Sequence, residues 1–265
     1  NVPTNALDLA LWMESDRMGH LLGVVDQEKL DEQRGVVQNE KRQGENQPYG
    51  KAFTRISESA FPKGHPYSWS VIGSMEDLDA ASLEDVQDWF KTYYGPNNAV
   101  LALAGDIDLE TAKQKAAQYF GDIPAGPPLV KPDVWIAKRN EEKREIMYDD
   151  VPQARIYKTW NVPPRDTEAA AHFDLASSVL VGGKNSPLYK ELVYEKQIAT
   201  NVSAFYYDRE IAGMFFLIVD VVAGEDPTNV EKAMDAVLAD FIKKGPNRKL
   251  LEAEKTKALA GFIRG

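Results

Sequence analysis

Residues 82–104 read SLEDVQDWFKTYYGPNNAVLALA. Ser82 opens a helix, with Asp85 three residues on in the arrangement of a capping box. Leu83, Val86, Trp89 and Phe90 then fall on one helical face. Gly95-Pro96 stops that helix. Ala99–Ala104 follows as a short unbroken apolar run between turn signals, the pattern of a buried strand. Asp108 is placed to cap a further helix that reaches Phe120. Helix, strand and helix, with turn residues at each joint, make a compact α+β unit.

Upstream of this stretch the chain reads as helical. Leu7, Leu11 and Met18 sit at near-helical spacing with Trp12 beside them, and a second helix runs from about Gln27 to Gln43 behind Asp26 as N-cap. A short amphipathic piece carries Phe53, Ile56 and Phe61, and the turn-rich connector Pro62–Pro66 follows it. Downstream, Gly121, Pro124, Gly126, Pro127, Pro128 and Pro132 cluster ahead of the charged run Lys138–Arg144, which marks residues 123–143 as a linker. Beyond it strands are expected over 144–149, 154–161, 201–207 and 213–222. Helices are expected over 167–181, 186–195 and 228–243, and from Asn247 onward to the end at Gly265. The expected fold class is α+β: two related units, 1–122 and 144–265, each a mixed or antiparallel sheet with helices packed on one face, joined by the Pro/Gly-rich linker.

Composition narrows the function. The 265 residues hold 31 Lys plus Arg against 41 Asp plus Glu, a formal charge of −10. A duplex-nucleic-acid binder shows a net basic footprint, and this chain has none, so nucleic acid is not an expected partner. There is no cysteine, which excludes disulfides, Cys-ligated zinc, iron–sulfur clusters and a Cys nucleophile. No apolar run approaches the ~18–20 residues that span a bilayer. The opening Asn1-Val2-Pro3 has neither an initiator Met nor a basic n-region, and the chain is expected to be a fragment or a processed product.

Motifs that carry chemistry are sparse. His20, His65 and His172 are scattered without an H-x-x-x-H or H-x-x-E-H spacing, and each reads as a surface or capping residue rather than a ligand. Gly182-Gly183-Lys184 lacks the upstream Gly of a phosphate loop and is followed by Asn185, so it reads as a tight turn before a helix. One carboxylate stands out. Gln33, Val37 and Glu40 lie at i, i+4 and i+7 on the second helix and share a face, with Val36 one turn before Glu40. A Glu at the end of an apolar stripe is either a helix-end residue paired with Lys41 or Arg42, or an oxygen donor aimed into a site. The residues alone leave both open.

The segment Leu30–Arg42, with Arg34, Val36, Val37 and Glu40, resembles the downstream zinc-ligand helix of the insulinase/pitrilysin (M16) metallopeptidases. Three further stretches agree in order. Asp79–Val86 with Trp89-Phe90 and Tyr93–Ala99 resembles the family's helix, Y-x-P-N-N and strand segment. Ala104-Gly105-Asp106 and, after a helix, Tyr119-Phe120-Gly121 continue it. Gly182–Leu192 resembles the second domain's G-G-x-x-S-x-L turn and helix. The match covers nearly the whole chain.

The resemblance implies a zinc endopeptidase in which two His and one Glu hold Zn²⁺ and leave a position for water. The metal would polarise the scissile carbonyl of a peptide or small-protein substrate while a second Glu takes the proton. It makes Glu40 the metal ligand and Gln33 a candidate to orient that ligand by hydrogen bonding. The inverted H-x-x-E-H motif is absent, so no catalytic residue is expected in this chain; the imidazoles and the general base would lie on an N-terminal segment outside it. The family's substrate-gripping halves carry an Arg and, seven residues on, a Tyr where this chain has Val193 and Thr200. That departure implies the zinc-bearing half, working with a second M16 half or partner subunit. Residues 1–122 would then be the C-terminal part of the first M16 domain, and 144–265 a truncated second one. The resemblance is in the manner of the family's large bacterial, often exported, members, which implies the bacterial periplasm or export. The alternative is a non-catalytic structural or assembly subunit of the same superfamily.

Overall fold

The computed structural model describes residues 1–264; Gly265, the expected end of the last helix, lies outside the described residues. In chain order the elements are α1 (Leu7–His20), α2 (Gln27–Glu45), α3 (Ala52–Ala60), α4 (Met75–Ala80), α5 (Leu83–Tyr93), α6 (Leu109–Phe120), β1 (Arg155–Val162), α7 (Glu168–Val181), a π-helical turn at Tyr189–Glu195, β2 (Ala199–Tyr207), β3 (Gly213–Val221), α8 (Pro227–Lys244) and α9 (Arg248–Arg264). The architecture is α+β. The chain divides into two compact units, one made of 1–44 with 71–131 and the other of 45–70 with 132–265. The division at 131/132 falls inside the stretch read as a linker. Residues 45–70, which precede the first unit's second segment in sequence, belong with the second unit.

The first unit is helical among its described residues. Its capping chemistry follows the sequence. The Ser82 hydroxyl accepts from the Asp85 amide and the Asp85 carboxylate accepts from the Ser82 amide, which closes the expected capping box on α5. Asp108 accepts from the Thr111 amide at the start of α6. The Asn97 side chain accepts from the Gly126 amide at 2.7 Å and donates to the carbonyls of Gly126 and Pro127. That approach needs a glycine at 95, where a Cβ would stand 2.5 Å from the Gly126 nitrogen. The expected strand at 99–104 does not form. A strand is defined by its partner, and no other segment of this unit offers one, so Val100 and Leu101 stand 95% and 47% exposed. The unit's fully buried side chains are those of Leu11 and Ser15.

The second unit holds a three-stranded antiparallel sheet in the order β1-β3-β2. The central β3 is buried along almost its whole length because both of its faces are apolar. Phe215, Leu217, Val219 and Val221 point into the main core with Leu180 of α7, Leu188, Leu192, and Val230 and Met234 of α8. Met214 and Phe216 point the other way, into a second cluster with Ala60, Phe61, Ala137 and Ala212. The expected layer of helices on one face is therefore α7 and α8. The opposite face carries α3 as well, with Phe53 5.4 Å from Phe216 between ring centres. The expected strand at 144–149 does not form: residues 144–149 are exposed throughout and Tyr148 is 93% accessible. Arg144 and Glu145 of that segment are drawn to side chains instead of a ladder, Arg144 to Glu231 and Glu145 to Arg55. The helix expected at 186–195 appears as the π-helical turn, which places Leu188 and Leu192 fully in the core.

Candidate functional site

The α2 helix begins at Asp26, whose carboxylate accepts from the Lys29 amide at 2.9 Å, satisfying one of the free donors of a helix N-terminus. Two side chains then fix which way α2 faces. The Arg34 guanidinium donates to the carbonyls of Leu78 at 2.8 Å and Ala81 at 2.6 Å. Those are the otherwise unpaired carbonyls around the end of α4, and Asp31 holds the same guanidinium from below at 2.5 Å. Gln38 donates to Asp79 at 2.6 Å. Leu30, Arg34, Val37, Gln38 and Lys41 are consequently half-buried.

That anchoring turns Gln33, Val36 and Glu40 outward. Glu40 and Gln33 are both exposed, and Val36 is 45% accessible beside them. A β-carbon added at Gly35, in the same turn, would meet nothing within 4 Å. The face predicted from spacing is present for Gln33 and Glu40, whereas Val37 rotates to the packed side. Among the described residues no group of three His, Cys, Asp or Glu side chains lies close enough to hold a metal ion. The described residues therefore do not make a zinc site by themselves. What they offer is one unencumbered carboxylate on an open helical face.

The sequence pattern includes Arg34 but gives neither it nor Gln38 an anchoring role. Their signal was available, since they sit one and five residues past Gln33 and so define the helical face opposed to it. The expectation that each histidine is a surface or capping residue needs correcting at His65. His65 is fully buried, stacked 4.4 Å from the Phe61 ring and 4.5 Å from Trp135. Tyr67 N–H donates to its Nδ1 at 3.0 Å, so Nε2 carries the proton and donates to the Trp135 carbonyl at 2.8 Å. Both ring nitrogens are used in holding loops together, and no lone pair is left for a metal.

The other singled-out positions have structural roles. Gly182–Ser186 is a turn in which Ser186 donates to the Gly183 carbonyl at 2.6 Å. Val193 packs against the main core. Thr200 accepts from Gln153 at 3.0 Å. Neither of the last two offers the long polar side chain that grips a peptide.

Comparison with known proteins identifies the family. The family model described as Peptidase M16 inactive domain matches residues 80–258. The zinc protease PqqE of Helicobacter pylori is 24% identical over 254 residues, covering 95% of this chain and 56% of that protein. The chain thus spans about half the length of the curated relatives it matches. Among solved structures, a protease from Helicobacter pylori superposes with a TM-score of 0.87 at 23% identity, over 99% of this chain and 64% of that one. The first half of the periplasmic protease PqqL from Escherichia coli superposes at 0.70 and 18% identity, over 99% and 56%. No described helix is long and apolar enough to cross a membrane. With a family model matched across well over half its length, this chain belongs to the peptidase M16 family.

Proposed function

We propose that this chain is the non-catalytic portion of a zinc endopeptidase, contributing a single metal ligand, Glu40, and the framework that holds it. In this reading residues 1–122 complete the zinc-bearing M16 domain, 123–143 link it to the next, and 144–265 belong to the second M16 domain. The observation that carries the proposal is the orientation of α2. Arg34 and Gln38 spend the helix's polar reach on α4, leaving Glu40 exposed with Gln33 and Val36 on an uncovered face. Glu40 also lies outside the residues matched by the inactive-domain model, which supports assigning the metal to the part of the chain before it. Two imidazoles and the general base would come from a segment outside the chain, and a second M16 half or partner subunit would grip the peptide. One structural match, the periplasmic protease PqqL of Escherichia coli, supports a periplasmic or exported setting.

One carboxylate without imidazole partners is a weak site for a borderline-soft ion, so the 265-residue chain alone is expected to bind zinc poorly and to hydrolyse no peptide. The decisive measurement is zinc content in the longer protein, for Glu40→Gln and for Glu32→Gln earlier on the same helix. Glu40→Gln is expected to lower zinc affinity by at least about tenfold with an unchanged melting temperature, and Glu32→Gln to be silent. Equal zinc in both variants would remove Glu40 from the site. No zinc in the unsubstituted protein would favour the other reading, a structural or assembly subunit.

A further inference from the structure

The second unit contains a cavity of about 420 Å³ bounded by Ser59–Pro62 on one side and by Trp135, Ala137, Lys138, Arg139 and Lys143 on the other. Its volume is in the range of small-ligand sites. The floor is apolar: Phe61, Ala60 and Ala137 are buried, and Trp135 is 44% exposed.

Polar side chains hold both walls. The Asn161 carboxamide donates to the carbonyl of Ala60 and to that of Ala137, each at 2.8 Å, so one side chain sets the separation of the walls. The fully buried His65 supports the floor by donating to the Trp135 carbonyl and stacking on Phe61. The Trp135 amide donates to the Ile211 carbonyl at 2.9 Å. A cleft fixed in this way loses little conformational entropy when it is filled.

The rim is cationic. Glu145 is already shared by Arg55 at 2.6 Å and Lys143 at 2.5 Å, with Ser59 also donating to it. Glu58 is taken by Arg55, and Glu142 lies 3.7 Å from Arg144. Lys138 and Arg139 are exposed and have no carboxylate partner among the described residues. They are two unneutralised cations above an aromatic and aliphatic floor, in a chain of net charge −10.

We propose that this cavity docks an acidic peptide segment, with an aromatic or aliphatic side chain on the floor and carboxylates against Lys138 and Arg139. The chain's net negative charge disfavours a long polyanion, because repulsion from the rest of the surface grows with the length of the ligand. A short acidic segment senses chiefly the local pair. The proposal is independent of Glu40 and of zinc.

The test is fluorescence anisotropy of a short labelled peptide, a phenylalanine flanked by glutamates, with the 265-residue chain. Saturable binding that weakens with added salt is expected. Lys138→Ser with Arg139→Ser should weaken it about five- to tenfold. Exchanging the glutamates for glutamines, or the phenylalanine for glycine, should weaken it as well. The matched basic pair Arg248→Ser with Lys249→Ser, at the start of α9 and not among the residues lining this cavity, should leave it unchanged. Both pairs are exposed, and thermal melts would verify their folding. Absent saturable binding, equal binding of the glutamine peptide, or equal loss in the control pair would each overturn the proposal. Tighter binding of a single-stranded oligonucleotide, abolished by the same Lys138 and Arg139 substitutions, would overturn it in favour of nucleic acid.

Discussion

Arg209 is the residue whose environment departs furthest from ordinary expectation. It sits in the loop between β2 and β3 with its guanidinium 3.7 Å from the Tyr67 ring centre, 4.8 Å from Tyr207 and 5.6 Å from Phe61. Its Nε and Nη2 are buried with no hydrogen-bond partner, the only such side-chain atoms among the described residues. Burial pushes the guanidinium pKa down, with Tyr207 and Tyr67 acting the other way. Unmet buried donors cost about 1–3 kcal/mol, while a partly desolvated cation–π contact returns about 0.5–2 kcal/mol. The charge therefore contributes little net stability, and the stem's packing against the rings carries the rest. Arg209→Met, which keeps the stem and removes the charge, is expected to unfold within about 1 kcal/mol of the unsubstituted protein. Arg209→Ala, which loses both, should be clearly less stable than Arg209→Met. Denaturant titrations of the two variants check this; an Arg209→Met chain as unstable as Arg209→Ala would show that the charge itself holds the loops.

At the scale of elements, the segment 138–149 shows how side chains replace a ladder. Glu145 joins it to α3 through Arg55 and Ser59. Hydrogen bonds from Lys143 and then Arg55 hold its carboxyl well down, from 4.5 to about 2. A depressed carboxyl contributes stability that is complete above its unfolded value and is lost as pH falls through the folded one. Glu145→Gln is accordingly expected to cost about 0.5–1 kcal/mol at neutral pH. The gap should close as pH falls from 4.5 towards 2. Urea titrations of both proteins over that range measure it, and a gap independent of pH would mean that the amide fails for reasons other than charge.

The same scale shows what the sequence could tell. Caps were legible because each is a local bargain between a side chain and an amide three residues on: Asp26, Ser82 and Asp108 all act as read. β1, β2 and β3 were legible within two residues because their apolar runs find partners inside the chain. The apolar run 99–104 and the Ile146–Tyr148 stretch within 144–149 also carry strand-forming side chains but find no partner strand, and local sequence does not reveal whether a partner exists. The outward face of α2 was legible from spacing for Gln33 and Glu40. The helix's rotation was not, because Arg34 and Gln38 set it through contacts more than 40 residues away in sequence. The buried His65 was missed for the same reason, since its partner Trp135 lies 70 residues on.

Over the whole molecule, apolar burial is unevenly shared. Both hydrophobic clusters lie in the second unit, where fully burying one Leu or Phe is worth about 1.5–3 kcal/mol. The first unit leaves Trp12, Met13, Val36, Trp89, Val100 and Leu101 at 45% or more exposed. Its helices rest on capping, on Asp8 pairing with Lys115 and on the Arg34 and Asn97 hydrogen bonds, solvent-screened terms that are individually small beside a buried core side chain. Helices of 11 to 19 residues held by such terms open locally far more often than a buried strand. Hydrogen exchange of the 265-residue chain is therefore expected to protect the amides of β3 by at least about a hundredfold more than those of α2 and α5. If a covering segment from a longer protein packs on the open face of α2, protection there should rise towards that of β3 when the segment is present, with β3 itself unaltered. Equal protection of α2 and β3 in the chain alone would mean that the first unit has a stabilising core after all, and that the open face around Glu40 needs no cover.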